Sequence, residues 1–293
     1  MANLHVNVRP AGRADIPLIA TLLQEAVYQH VHVDWLLPVD WLGTAGFVVA
    51  ESTAGHPRGA GKALACLAIG ADPPPAAWVR VAAVHEGKEA AQLLRAMLAT
   101  VLPSLRAEGL TEVGWMPRLD WPAASMTQLD FELVNHVETL VKPNLTIPST
   151  VRPNEEVVVR PVRQADLPHL AAIEEQAFEP LWRHSVEGLA RGRRYAISFD
   201  VAELDGRIVA FQYSADGERR DTAHLVRLTV SPDAQRSGVG SALMRAALEG
   251  YRQRGLGSVS LNTQADNVPS KRLYQAFAFK PAGYRWPVWC LSL

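Results

Sequence analysis

Cysteine is nearly absent: the 293 residues hold two, Cys66 and Cys290. Two thiols cannot build a disulfide framework, and with no CxxC pair or Cys/His cluster a zinc site has no signature. Net charge is nearly absent as well. Lys and Arg number 29 against 30 Asp and Glu, leaving −1, so the chain has no global attraction to nucleic acid or to an anionic membrane. No apolar run approaches the length needed to span a bilayer. The stretch from Met1 to Arg9 lacks the apolar core of a secretion signal. The expectation is a cytoplasmic protein with no membrane and no nucleic-acid partner. His5, His30, His32, His56 and His85 follow no ligand spacing, so no metal is expected and they read as scattered, solvated side chains. What is present, 48% hydrophobic and 20% charged residues, is ordinary globular composition, with length enough for two domains.

The chain repeats itself. Val6-Asn7-Val8-Arg9-Pro10 matches Val157-Val158-Val159-Arg160-Pro161, and Ala14-Asp15-Ile16-Pro17 matches Ala165-Asp166-Leu167-Pro168, both at an offset of 151. Each copy predicts a short strand, then an Asp at a helix N-cap with Pro just inside the helix. The stripes Ile16, Ile19, Ala20, Leu23, Val27 and Leu167, Leu170, Ala171, Glu174, Phe178 follow in parallel. Further on, Ala82-Ala83-Val84 corresponds to Leu228-Thr229-Val230, and Arg106-Ala107-Glu108-Gly109-Leu110 to Arg252-Gln253-Arg254-Gly255-Leu256. Between the copies, Lys142 to Asn154 is Pro-rich and poor in apolar residues, a linker with the boundary near residue 150.

The most informative stretch is Leu228 to Ser241. A strand ends at Val230, a Pro-containing turn follows, and Gln235-Arg236-Ser237-Gly238-Val239-Gly240 runs into an apolar-periodic helix. Unpaired N–H groups in a first helical turn, with the helix dipole, make an anion site. Gly238 and Gly240 are expected to keep side chains from holding a phosphate off the backbone. Strands are predicted near 198–204 and 207–215 around an Asp205-Gly206 hairpin turn. A strand at 223–230, a helix from 238 to 254 and a strand at 257–262 follow. A short helix then opens at Asn267-Val268-Pro269-Ser270.

Residues 225–280 resemble the acetyl-CoA-binding core of the GNAT N-acetyltransferase superfamily. The loop pattern Gln/Arg-x-x-Gly-x-Gly/Ala is met by Gln235, Gly238 and Gly240. The later Asn-x-x-(Ser/Ala)-x-x-x-Tyr is met by Asn267, Ser270 and Tyr274. The resemblance covers 157–293 well and 1–141 in outline. It implies an α/β fold of two tandem GNAT-like acyl-CoA N-acyltransferase domains, each a mixed central sheet flanked by helices. Residues 1–145 would be a degenerate copy and 154–293 the catalytic one.

The resemblance also implies roles. The strand through Leu228, Thr229 and Val230 would splay from its neighbour and bond the pantetheine arm and acetyl carbonyl. Backbone amides of Arg236, Ser237, Gly238, Val239, Gly240 and Ser241 would cradle the pyrophosphate, and Asn267 and Ser270 would contact the cofactor's arm. Tyr274 would protonate the departing thiolate, a role for a phenol that stays protonated at neutral pH. His224, six residues before Val230, stands where related enzymes carry a base, with an ordered water, Asp221 or Glu174 as alternatives. Glu174, Phe178 and Trp182 fall where an amine acceptor enters, a carboxylate and aromatic faces suiting a cation. The first copy has lost this equipment. Its loop carries Glu86 and Glu89, which repel a pyrophosphate, and Gln128 stands near the place of Tyr274.

The expected activity is direct acetyl transfer from acetyl-CoA to a small-molecule or peptide amine, without metal, by a monomer or homodimer. The alternative is a non-catalytic acyl-CoA sensor or interaction module.

Overall fold

In the computed structural model, which describes residues 6–33, 35–53, 63–85, 89–117, 119, 121–152 and 154–293, the two Arg-Pro openings build the same device. Strand β1 (Val6–Pro10) carries Arg9, whose guanidinium meets Asp15 at 2.7 Å and Glu51 at 2.6 Å. Strand β8 (Val158–Pro161) carries Arg160, which meets Asp166 at 2.8 Å and Glu203 at 2.7 Å. Asp15 and Asp166 do precede helices α1 (Ile16–Glu25) and α4 (Leu167–Ala177), but neither side chain caps its helix. Each carboxylate takes its Arg and a backbone N–H of the preceding turn, Gly12 at 2.8 Å and Arg163 at 2.7 Å. The Arg bond carries charge on both partners, whereas a cap bond would carry it on the carboxylate alone.

The second matching stretch ends two helices identically. Helix α2 (Ala90–Ala107) stops at Gly109 (φ +81°), with Leu110 N–H donating to Leu105 O at 3.1 Å and Gly109 N–H to Arg106 O at 2.9 Å. Helix α6 (Val239–Gln253) stops at Gly255 (φ +77°), with Leu256 N–H donating to Tyr251 O and Gly255 N–H to Arg252 O, both at 3.0 Å. Both are Schellman stops, which need a left-handed residue and so select Gly.

The chain forms two compact units, Met1–Val134 with Pro287–Leu293, and Asn135–Trp286. They cross the chain division expected at 145/154, because pairing at two strands decides membership. In the first unit, β1, β3 (Phe47–Ser52), β4 (Ala63–Ala71), β5 (Ala76–Val84) and β6 (Glu112–Trp115) pair in that order. The end of β13 (Lys280–Ser292) lies antiparallel to β6 through Trp289–Ser292. Strand β2 (Tyr28–Val31) also pairs with β5. Helix α2 buries Leu94, Met97 and Val101 in the core on one face, and Ile19 and Leu22 of α1 lie in the core on the other. Covered on both faces, β5 is buried at every residue. A short helix α3 (Ala123–Met126) precedes β7 (Glu132–Lys142).

In the second unit the order is β7, β12 (Ser258–Gln264), β11 (Thr222–Val230), β10 (Arg207–Asp216), β9 (Ser198–Leu204) and β8. Among these described pairs, β11 and β12 are parallel and the others antiparallel. Val239 and Leu243 of α6 pack with β9 and β10 residues such as Ala202 and Ala210, while Met244, Ala247, Leu248 and Tyr251 extend the same core toward β12. Helices α4 and α5 (Val186–Tyr195) pack together, and α7 (Val268–Ala276) follows β12. The β9–β10 hairpin turns at Asp205 (φ +52°) and Gly206 (φ +71°), the double left-handed geometry that Asp-Gly suits.

Two of the histidines expected to be scattered and solvated, His30 and His32, instead pack side by side in the first unit. His30 is 5% exposed and bonds Val79 O at 3.0 Å, and its ring lies 6.2 Å from that of His32. His5 and His56 lie outside the described residues, and among those described no His, Cys, Asp and Glu group gathers as a metal would require. Burial lowers the His30 pKa from 6.5 to about 4, against the raising effect of the Val79 bond, and burial lowers that of His32 too. A folded-state pKa below the unfolded one gives stability that is present above pH 6.5 and lost as pH falls toward 4. The account predicts that acidification from pH 7.5 to 5 lowers the denaturant midpoint of the wild type more than that of His30→Gln. Over that range the difference is bounded by about 2 kcal/mol, the 1.5 pH units below 6.5 that it covers, and tryptophan fluorescence during urea unfolding measures it.

Candidate active site

A cleft opens in the second unit where a parallel pair stops. Strands β11 and β12 are in register from Thr222–Ser258 to Leu225–Leu261 and no further, although β11 runs on to Val230 and β12 to Gln264. A bulge contributes: on the opposite edge, Tyr213 of β10 faces Arg227 and Ser214 faces Leu225, leaving Val226 as the extra residue. Bulges bend a strand and increase its twist. The cleft is lined by Leu225 to Leu228 of β11 and Asn262 to Gln264 of β12, with Asn267, Ser270, Tyr274 and Phe178.

At the far end of β11 is the predicted loop. Arg236 (φ +63°) and Gly238 (φ +84°) are left-handed. Among the described residues, no acceptor pairs with the backbone N–H of Arg236, Ser237, Gly238, Val239, Gly240 or Ser241; the first bonded amide is Ala242, to Gly238 O at 3.0 Å. Unpaired N–H donors at a helix entry suit an anion. The glycines earn their place differently from the expectation. A Cβ on Gly238 would lie 3.0 Å from the Asn154 backbone N, and one on Gly240 would lie 3.3 Å from Leu273 Cδ2. Both positions abut protein atoms rather than open space. Asn154 braces the loop, its Nδ2 donating to Ser237 O at 3.1 Å, and Ser237 Oγ donates to Ala234 O at 2.6 Å. Gln235 Nε2 reaches Val230 O at 3.3 Å. The Val239 side chain is core.

Asn267 has a local task in addition to lining the cleft. Its Oδ1 accepts from Ser270 N–H at 3.2 Å and caps α7. Helix α7 then places Tyr274 in the cleft wall, 5% exposed, with its ring 5.7 Å from Phe279. Burial raises the phenol to about 12, against the lowering effects of Arg227 and a hydrogen bond to Ser270. It holds its proton at neutral pH. His224 is not in the cleft lining. It lies on the paired part of β11 opposite Ser260, with Nδ1 2.9 Å from Ser260 Oγ. Burial lowers its pKa, against the raising effect of Glu218, so the neutral imidazole is favoured.

Glu174, expected at an acceptor entrance, is instead fully buried. Its Oε1 accepts from Arg227 Nε at 3.0 Å and Thr229 Oγ1 at 2.6 Å; its Oε2 accepts from Arg227 Nη2 and from His184 N–H at 3.1 Å. Burial raises its pKa, but the charges of Arg227 and His184 and these bonds outweigh that and hold it ionised. The carboxylate therefore has no oxygen left for a ligand. Trp182 contributes its carbonyl, which accepts from Arg227 Nη2 at 2.6 Å, and Phe178 lies under the guanidinium at 3.8 Å. Arg227 is the residue that sequence reasoning missed. Its signal was a lone cation in the apolar strand Leu225-Val226-Arg227-Leu228, matched by a lone acid in the α4 stripe.

The first unit has the same bulge, at Arg80 of β5, and its parallel pair also stops early, at Trp78–Gly114. There the edge is closed. Strand β2 lies antiparallel along it, from Tyr28–Val84 to Val31–Val81, extended by Val27 N–H to His85 O and His32 N–H to Arg80 O. Trp121 fastens β2, stacking on Tyr28 at 5.0 Å and donating to Gln29 O at 3.0 Å. The segment after α4 starts instead as a 3-10 turn at Pro180–Trp182, and proline has no N–H to give an edge. Glu89 precedes α2; Glu86, Gly87 and Lys88 lie outside the described residues.

The comparisons agree with this geometry. The Acetyltransferase (GNAT) family model matches residues 164–279. The [ribosomal protein bS18]-alanine N-acetyltransferase of Escherichia coli (strain K12) is 30% identical over 120 residues, 41% of this chain and 78% of that protein. The mycothiol acetyltransferase of Clavibacter sepedonicus is 38% identical over 91 residues, 29% of each chain. Among solved structures, a GCN5-related N-acetyltransferase from Sphaerobacter thermophilus aligns with a TM-score of 0.61 at 17% identity, covering 98% of this chain and 96% of that one. A tandem GNAT protein from the clavulanic acid biosynthesis pathway gives 0.58 at 16% identity, covering 98% of both.

One test concerns the loop. Gly238→Ala forces a side chain into a left-handed site against Asn154 and is expected to cost about 1–2 kcal/mol and to weaken acetyl-CoA binding; thermal unfolding and calorimetric titration measure the two effects. With an open splayed edge, an uncapped amide loop and a phenol in one unit, and the fold repeated in the other, the chain belongs to the acetyltransferase (GNAT) family in its two-domain form, a family of acyltransferases.

Proposed function

We propose that the second unit transfers the acetyl group of acetyl-CoA to a primary amine. The observation that carries this is the juxtaposition, within one unit, of the unpaired edge of β11, the six uncapped amides after it, and Tyr274 in the wall between β11 and α7. In this reading the amides hold the pyrophosphate, each bond to a charged acceptor contributing about 1.5–3 kcal/mol. The edge at Leu228 and Val230 takes the pantetheine arm, an extended chain of amides that pairs as a strand would. The amine nitrogen attacks the thioester carbonyl carbon. The C–S bond breaks, and the thiolate receives the Tyr274 proton. The ammonium proton must leave before attack, and because the neutral imidazole of His224 stands outside the cleft lining, an ordered water is the proposed carrier of that proton to it.

The relatives support nitrogen as the acceptor atom, since the E. coli protein is named for N-acetylation. The closed edge of the first unit supports a single acyl-CoA site in each chain. The non-catalytic alternative is separated by one substitution. Tyr274→Phe is expected to reduce kcat by about 100-fold with acetyl-CoA affinity retained, read as thiol release and as calorimetric binding. Unchanged turnover would remove the phenol from the mechanism, and unchanged binding with no turnover in the wild type would favour the sensor.

A further inference from the structure

We propose that Arg227 selects the acceptor, and that the acceptor is an amine with a carbonyl or carboxylate oxygen on the adjacent carbon, an α-amino-acyl group. This rests on the transferase reading above. Among the described residues, Arg227 is the one charged residue in the cleft lining. Glu174 occupies its Nε and Nη2, the Trp182 carbonyl also takes Nη2, and Phe178 covers one face. No described residue accepts from Nη1. The guanidinium is thus oriented by three partners with one donor nitrogen left over, beside the wall that carries Tyr274. An acceptor whose only polar group is an ammonium would bring a like charge to this place, with no carboxylate in the lining to offset it. An α-amino-acyl acceptor brings an oxygen for Nη1 together with its nitrogen.

The repeat within the chain supplies the second observation. By the bulge register Val81 stands where Arg227 does, and by the helix stripe Leu23 stands where Glu174 does. Ala83 likewise replaces Thr229. Val81 and Ala83 are core in the first unit and Leu23 packs against them. The same helix-on-strand contact is therefore built without charge in the unit whose edge is closed. Buried ion pairs add little net stability over apolar packing, so the pair is not required by the fold.

The test compares L-alanine and L-alaninamide with isopropylamine, at equal concentrations of free amine and with acetyl-CoA saturating. The wild type is expected to favour at least one alanine acceptor by about tenfold or more in kcat/KM. L-alanine identifies a free carboxylate as the partner, L-alaninamide a carbonyl such as a peptide's. Glu174→Leu/Arg227→Val/Thr229→Ala, which installs the first unit's own residues, is expected to bind acetyl-CoA and to bring that ratio toward one by raising KM for the alanine acceptors. Arg227→Lys keeps a cation for Glu174 but removes Nη1, and gives the same readout should the triple variant not fold. Equal use of isopropylamine by the wild type, or an unchanged ratio in a folded variant, overturns the inference and leaves the transferase reading standing. Absence of transfer to every acceptor in the presence of bound acetyl-CoA overturns both.

Discussion

The site depends on a strand edge left unpaired. Residues Val226 to Val230 of β11 have a neighbour on one side only, because the parallel partner β12 departs after Leu225–Leu261. An exposed edge is ordinarily a liability that proteins cover or pair. Here one end of it abuts a helix entry with six amides that no described residue pairs, and the other lies beside a buried phenol. Each feature alone is common; an extended ligand ending in a diphosphate satisfies all of them at once.

The first unit is an internal control for that argument. It keeps the bulge, the early end of the parallel pair, the Schellman stop and the Arg–Asp–Glu device at β1. It differs at the edge, where β2 supplies the missing strand and Trp121 fastens it. The difference traces to the residues after the first helix. Tyr28-Gln29-His30-Val31 extends as a strand, whereas Glu179-Pro180-Leu181-Trp182 turns. The charge pair of the second unit disappears with the opening: Glu174 and Arg227 give way to Leu23 and Val81. Within one chain, the unit with the open edge has the Glu174–Arg227 pair and the unit with the closed edge has Leu23 and Val81 at those places.

Much of this was legible in the sequence because it is local. The strand, turn and helix entry around 230–239, the Asp-Gly hairpin and the short helix opening at Asn267 follow from short-range backbone chemistry, and the structure has those elements there. The misreadings involved partners outside the helix or strand that carries the residue. Asp15 and Asp166 read as caps, but Arg9 and Arg160 claim them from across a turn. Glu174 read as an acceptor contact, but a strand 53 residues away neutralises it. His30 and His32 read as solvated, but they line a buried wall with Trp78 and Trp115. The exchange of β7 and the last residues of β13 between units is a pairing outcome with no local signature, and so is the closing of the first edge by β2.

The most direct measurement is backbone amide hydrogen exchange of the whole chain with and without acetyl-CoA. The account predicts added protection at 226–230 and 236–241, with no change at 81–84, where β2 already holds the edge. Protection appearing at 81–84 instead, or none at 236–241 under saturating acetyl-CoA, would contradict it.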